Sequence, residues 1–310
     1  MLIGIRAFFA ERGVLEVETP CLSSAATPDP ALLSFATHYT GPLFPQGQTL
    51  YLHTSPEFPM KRLLAAGCGS IYQICKVFRN GEAGRMHNPE FTLLEWYRTG
   101  FDADQLMAEV EALMRQLLGD YLTSAASEKL SYREAFQQHA QLDPHTATAE
   151  DFAQAARAHG IHAPHALDAH HDVGIWRDLL LTHLIEPRLG QGRLTFLYEF
   201  PASQASLARV RPGNPPLAER FELYLNGTEL ANGFHELADA SEQRTRFERQ
   251  LHARIAEHQP AVPLDEHLLA ALTSGLPDCS GVALGFDRLV LLAAGARSLR
   301  EVIAFPIDCA

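Results

Sequence analysis

The sequence predicts an α+β fold, because strand-like runs flank a middle section with helical periodicity and the two kinds of segment stay largely apart. A second observation points the same way: neither a Walker A loop nor a G-x-G-x-x-G turn occurs, which removes the sequence basis for a P-loop or doubly wound nucleotide fold. The elements follow in order. The opening M-L-I-G-I-R-A-F-F-A-E-R reads as an amphipathic helix with Ile5, Phe8 and Phe9 on its buried side. Arg6, Glu11 and Arg12 interrupt it too often for a signal peptide, and no small-residue cleavage site follows. Thr49 to His53 is a short strand. Glu57 to Ala66 carries Phe58, Leu63 and Leu64 at helical spacing before the stop at Gly67 and Gly69. Ile71 to Phe78 and Phe91 to Tyr97 are strands on either side of a loop. Residues 102–190 turn to Ala, Gln, Leu and His at helical periodicity, with breaks at Pro144 and Pro164, and read as a helical insertion within one domain of residues 1–310. Strand character returns at Thr195 to Phe200, Arg220 to Leu225 and Glu229 to Phe234, and Glu242 to His258 is a charged helix.

The chain of 310 residues is 46% hydrophobic and 20% charged, an ordinary globular balance with ample length for a core. Its formal net charge of -12 argues against a protein that coats nucleic acid by neutralising phosphates. Five cysteines without a C-x-x-C pair suit a reducing cytoplasm better than a disulfide framework or a zinc site. No apolar run approaches the ~20 residues of a membrane span. His159, His162, His165, His170 and His171 invite a metal reading, but Pro164 breaks the helix that would align the first three and no Cys or acidic partner recurs at ligand spacing. A solvated loop is the expectation there.

The block F-R-N-G-E-A-G-R-M-H-N-P-E-F-T-L-L-E-W-Y, from Phe78 to Tyr97, carries the most chemistry. It places an Arg, a His and two carboxylates around a Gly-containing turn between strands. An arginine fork clamps phosphoryl oxygens bidentately, and the His on the returning strand reaches a more distal phosphate. The alternative is a surface hairpin with scattered charges. Further on, Glu222 and Glu229 lie across an N-G turn, where paired carboxylates suit Mg²⁺, a hard cation that takes one or two carboxylates plus substrate phosphates. The alternative there is a pair of exposed strand carboxylates.

The Phe78 block resembles motif 2 of the class II aminoacyl-tRNA synthetases in its lysyl-type form. G-V-L-E-V-E-T-P (Gly13 to Pro20) resembles motif 1, which builds the dimer interface in that family, and G-V-A-L-G-F-D-R-L (Gly281 to Leu289) resembles motif 3, a strand running into a helix with an ATP-binding arginine. The resemblance implies an antiparallel sheet flanked by helices, with the insertion of residues 102–190 between motifs 2 and 3, and it implies a homodimer. It further implies ATP and Mg²⁺ as cofactors, with ATP bound by Arg79, His87, Asn88, Phe91, Glu229, Leu230, Gly285 and Arg288, and the metal held by Glu222 and Glu229. Arg79 and Arg288 are the implied catalytic residues. Ser55, Glu57, Glu95, Tyr97, Asn232, Glu236 and Ala283 are the implied amino-acid contacts; carboxylates and a phenol select a cationic side chain, since a neutral analogue leaves them unpaired. The implied reaction is attack of the amino-acid carboxylate on the α-phosphate, which needs positioning and charge neutralisation but no protein nucleophile. One departure stands out: the family has R-N-E after the motif 2 Phe, whereas here Gly81 follows Asn80 and Glu82 comes one place later.

A lysyl-tRNA synthetase carries an anticodon-reading OB-fold before motif 1, and no room for one precedes Gly13. The family's first helix also begins further upstream, which implies a start that lies late by some residues. F-P-A-S-Q-A-S-L-A (Phe200 to Ala208), E-L-A-N-G-F-H-E-L (Glu229 to Leu237) and P-D-C-S-G-V-A-L-G (Pro277 to Gly285) resemble the short branch of the family that transfers activated β-lysine to a lysine of elongation factor P. Ala283 agrees, since that branch has Ala where lysyl synthetases have Gly. The expectation is therefore an AMP-forming, ATP-dependent protein-lysine lysyltransferase of the cytoplasm, with elongation factor P and lysine or β-lysine as partners and no stable tRNA binding. A minimal synthetase charging tRNA and a non-catalytic binding subunit stay open as alternatives.

Overall fold

In a computed structural model of the chain, residues 1–122, 125–162 and 173–310 are described. The chain divides into two compact units, one formed by Met1–Phe101 with Leu237–Ala310 and the other by Asp102–Glu236.

The first unit is built on strands Ile71–Phe78, Glu90–Thr99 and Cys279–Gly285, antiparallel in that order, with the short strand Leu15–Glu16 parallel to Ile71–Phe78. The opening helix spans Leu2–Ala10 and buries Ile5, Phe8 and Phe9, as its periodicity predicts. Phe9 stacks on Tyr72 at 4.5 Å and meets Trp96 edge-on at 5.4 Å, so aromatic packing ties that helix to the sheet. Gly13, at φ 65, reverses the chain into Leu15–Glu16. Glu16 then accepts from Arg6 at 3.0 Å and from the Tyr72 hydroxyl at 2.8 Å. Gln48–Leu52 lies between Leu22–Ser23 and Ala36–Tyr39 in a separate three-stranded sheet. Helix Glu57–Ala65 packs on Glu266–Gly275, and helix Ala240–Ala256 begins at Asp239, whose side chain accepts from the Glu242 amide at 2.8 Å.

The second unit has Leu217–Leu225 between Thr195–Pro201 and Thr228–His235, all antiparallel. Its helices begin at capping boxes: Asp102 with Gln105 for Ala103–Leu118, Ser131 with Glu134 for Tyr132–Ala140, and Thr148 with Asp151 for Ala149–Ala158. Val173–Leu180 continues as a π-helical turn over Leu181–Ile185. Tyr132, Phe136, Phe152, Trp176, Leu184 and Phe200 form the core between these helices and the sheet. Within residues 102–190, where helices are expected, Glu128–Ser131 is a strand that pairs in parallel with Thr195–Pro201. Its residues E-K-L-S have weak strand character, and the ladder supplied by the neighbouring strand decides their conformation. Pro144 lies between two helices, as expected, whereas Pro164 falls outside the described residues.

Candidate active site

In the first unit the motif 2 hairpin is in register with Phe78 opposite Glu90 and Gln73 opposite Glu95. Its loop closes on itself: the Arg79 amide donates to the Pro89 carbonyl at 2.9 Å and the Gly84 amide to the His87 carbonyl at 3.0 Å. Gly81 sits at φ 85, a conformation that a side chain at that position would strain. The Arg79 guanidinium lies 5.0 Å over the Phe91 ring, donates from Nε to the Thr54 carbonyl at 3.3 Å, and pairs with Glu82 at 3.6 Å. The carboxylate that the sequence places one position late thus reaches back to Arg79.

Arg288 stands in the first turn of helix Phe286–Ala293, which starts where strand Cys279–Gly285 ends. It lies over the same loop, with Nη2 2.9 Å from His87 Nε2 and Nε 3.4 Å from the Met86 carbonyl. Burial lowers the His87 pKa, and the adjacent Arg288 and Arg79 lower it further, so the imidazole is neutral at pH 7 and accepts from Arg288. Arg79, His87, Phe91 and Arg288 are therefore brought together: two guanidiniums beside a neutral imidazole and an aromatic face, an arrangement suited to a polyphosphate and a base. Asn88 is placed differently. Its Nδ2 donates to the Glu90 carbonyl at 2.6 Å and its Oδ1 accepts from the Ile307 amide at 3.1 Å, so both ends of its amide hold backbone. At Gly285 an added methyl would meet the Arg288 side chain only at ordinary contact, 3.6 Å.

The same unit gathers Ser55, Glu57, Glu95, Tyr97 and Ala283. Glu95 is 2% exposed and accepts from Ser55 Oγ and from the Tyr97 hydroxyl, each at 2.7 Å. Ser55 Oγ also accepts from the Glu57 amide at 3.0 Å, opening helix Glu57–Ala65. Ala283 is directly opposite Glu95 and Gln73 is opposite it on the other side, so the three form one row across the sheet. A carboxylate oriented by two hydroxyl donors suits an ammonium group. Two residues of this cluster escape sequence reasoning. Lys61, 1% exposed, pairs with Glu57 at 2.7 Å, and Gln73, 3% exposed, accepts from Thr19 at 2.9 Å. The i,i+4 spacing of Glu57 and Lys61 is the only signal for the first; nothing in the sequence marks the second.

In the second unit Asn226 and Gly227, at φ 51 and 72, make the tight turn that an N-G pair predicts between Leu217–Leu225 and Thr228–His235. A bulge at Leu223/Tyr224 sets the register, with Glu222 opposite Asn232 and Tyr224 opposite Glu229. Since residues opposite one another and residues two apart share a face, Glu222, Tyr224, Glu229 and Asn232 lie on one side of the sheet. Glu222 is buried rather than an exposed strand carboxylate. Leu230, in the same strand, is buried, and Glu236, 4% exposed, pairs through its backbone with Ala208. Two carboxylates on one face fit Mg²⁺, which needs only one or two such ligands beside phosphate and water oxygens. Among the described residues no group of three or more His, Cys, Asp or Glu is arranged to hold a metal. His159 and His162 are exposed, and His165, His170 and His171 lie outside the described residues.

The model of the family of class II tRNA synthetases (D, K and N) matches residues 1–309. The chain is 53% identical over 304 residues, 98% of its length and 92% of the relative's, to a protein of Salmonella paratyphi B named "Elongation factor P--(R)-beta-lysine ligase". Proteins of the same name from Klebsiella pneumoniae and Salmonella arizonae are 52% identical with the same coverage.

Proposed function

The chain belongs to the class II tRNA synthetase family of the D, K and N type, and from that premise we propose that it is an ATP-dependent, AMP-forming ligase that activates (R)-β-lysine or lysine and transfers it to the ε-amine of a lysine of elongation factor P. The observation that carries the reading is similarity over nearly the whole of both chains to relatives bearing that name. The buried Glu95 carboxylate, held by Ser55 and Tyr97, supports a cationic amino acid.

Two half-reactions follow. The substrate carboxylate attacks the α-phosphorus of ATP, pyrophosphate leaves, and the acceptor ε-amine then attacks the adenylate carbonyl and expels AMP. Arg79 neutralises the α-phosphate while Phe91 stacks on adenine, and Arg288, oriented by neutral His87, neutralises the phosphates from its own side. Gly285 borders the nucleotide and Asn88 serves it by shaping the loop, while for Leu230 the family resemblance alone supports a role toward ATP. Glu95 and Tyr97 receive the ammonium of the substrate, with Ser55, Glu57 and Ala283 beside them in the first unit; for Asn232 and Glu236 of the second unit the family resemblance alone supports a role toward the amino acid. Glu222 and Glu229 would hold Mg²⁺, which supplies charge neutralisation on the phosphate oxygens. The acceptor amine attacks only when neutral.

The protein acts as a homodimer. Ile3 at 85% exposure and Leu15 at 55%, both in the motif 1 region, offer apolar surface that a second copy would cover. The proposed acceptor is a translation factor, which supports a cytoplasmic enzyme. ATP–pyrophosphate exchange with (R)-β-lysine, L-lysine and uncharged analogues, followed by mass analysis of elongation factor P, tests the reading. Exchange strongest with (R)-β-lysine, together with a lysyl adduct on the factor, is the expected result. Preference for L-lysine with charging of tRNA overturns the acceptor, and silence with every amino acid overturns the enzyme.

A further inference from the structure

The carboxylate of Glu222 is met by three side chains of its own unit. Arg220 donates from Nη2 to Oε1, Asn232 Nδ2 lies 3.5 Å from the same oxygen, and the Tyr224 hydroxyl donates to Oε2 at 2.5 Å. Arg220, Glu222 and Tyr224 stand at every second position of strand Leu217–Leu225, so they share a face. Both flanking donors are themselves fixed. Arg220 Nη1 donates to the Gln204 carbonyl at 2.9 Å, and its guanidinium lies 4.3 Å over the Phe200 ring. Tyr224 is 0% exposed, with its hydroxyl also 3.3 Å from Glu186 Oε1.

A carboxylate offers about four lone-pair positions. Three donors on Glu222 leave about one, which restricts this side chain to a single oxygen contact with a cation and excludes a bidentate grip. We infer that Arg220 and Tyr224 are positioning residues that fix Glu222 as a one-oxygen ligand of the nucleotide's divalent cation. This inference rests on the metal role proposed above for Glu222 and Glu229. Hydrogen bonds of this outer kind set the orientation of a ligand and tune metal affinity.

Tyr224→Phe deletes one donor and keeps the ring. Mn²⁺ binding is measured by electron paramagnetic resonance in the presence of a non-hydrolysable ATP analogue, with analogue affinity in the absence of metal and melting temperature measured alongside. The expected result is a Mn²⁺ dissociation constant raised by about tenfold, the lower end for loss of such a partner, with metal-free analogue affinity unchanged. Arg220→Lys keeps the charge but loses the planar fork, and is expected to weaken Mn²⁺ binding at least as much. A merely structural role would lower the melting temperature without singling out Mn²⁺. Tyr224→Phe carries the measurement even where Arg220→Lys does not fold. Equal Mn²⁺ affinity in wild type and Tyr224→Phe overturns the positioning role alone; a wild type that binds no Mn²⁺ with the nucleotide overturns the metal role of Glu222 and Glu229 itself, and the positioning role with it.

Discussion

Ala283→Gly removes one methyl from the strand position directly opposite Glu95. Opposed side chains in an antiparallel pair stand about 4.5–5.5 Å apart at Cβ, so this methyl borders whatever ammonium Glu95 receives. Removing it takes away about 0.8 kcal/mol of apolar contact at most, since Ala283 is only partly buried. At about 1.4 kcal/mol per tenfold, that bounds the change in discrimination at roughly fourfold. The direction follows from space: room beside Glu95 admits the L-lysine backbone better, so the kcat/KM ratio of (R)-β-lysine to L-lysine falls. Glycine within a strand also costs about 0.5–1 kcal/mol of stability, which melting curves would register apart from the kinetics. The assay is ATP–pyrophosphate exchange with each isomer under saturating ATP. An unchanged ratio would refute the placement of the methyl against substrate. A change of a hundredfold would refute the argument in the other direction, because no single methyl contact supplies it.

Arg79→Ala removes the guanidinium stacked on Phe91, and exchange should fall in kcat by about 10²–10³, as when a preorganised charge-stabilising donor is lost; a change in KM alone would show that Arg79 only binds nucleotide. Lys61→Met leaves Glu57 without its 2.7 Å partner, and the denaturation midpoint should drop, by less than the about 3–5 kcal/mol typical of a broken buried pair because Glu57 keeps 17% exposure. An unchanged midpoint would remove Lys61 from the structural account. The His87 pKa is depressed in the folded state, so the unfolded chain binds the proton more readily, and the contribution of His87 is complete above pH 6.5 and is lost as pH falls below that value toward the folded pKa. Melting temperature against pH should therefore be flatter in His87→Gln than in wild type on the acid side of 6.5; parallel curves would contradict the assignment. Gly227→Ala puts a methyl at φ 72 with Pro187 Cα 3.1 Å away, and should cost about 1–2 kcal/mol through the left-handed conformation alone, read as a lower melting temperature.

The parts legible in the sequence are those where local chemistry dictates local structure. Asn226-Gly227 demands a primed turn, Ile71 to Phe78 demands a strand, and Ile5, Phe8 and Phe9 demand a buried helix face; the structure has all three. The parts that were not legible depend on distant partners. Glu128–Ser131 becomes a strand because Thr195–Pro201 offers it a ladder, and the Asn88 amide is committed to backbone that includes Ile307, over two hundred residues away. Strand Leu217–Leu225 shows why polar residues mislead most. Alternation of Arg220, Glu222 and Tyr224 with Phe221, Leu223 and Leu225 reads as a half-buried strand with its polar face in water. Yet Phe221 and Leu223 are 0% exposed on one face while Glu222 at 6% and Tyr224 at 0% are buried on the other. A strand buried on both faces has no solvent side, so a polar stripe in it cannot persist unless its members satisfy one another, as Arg220, Tyr224 and Asn232 satisfy Glu222. Period-two alternation thus marks where the chemistry lies, and only the burial of the second face shows that it is chemistry at all.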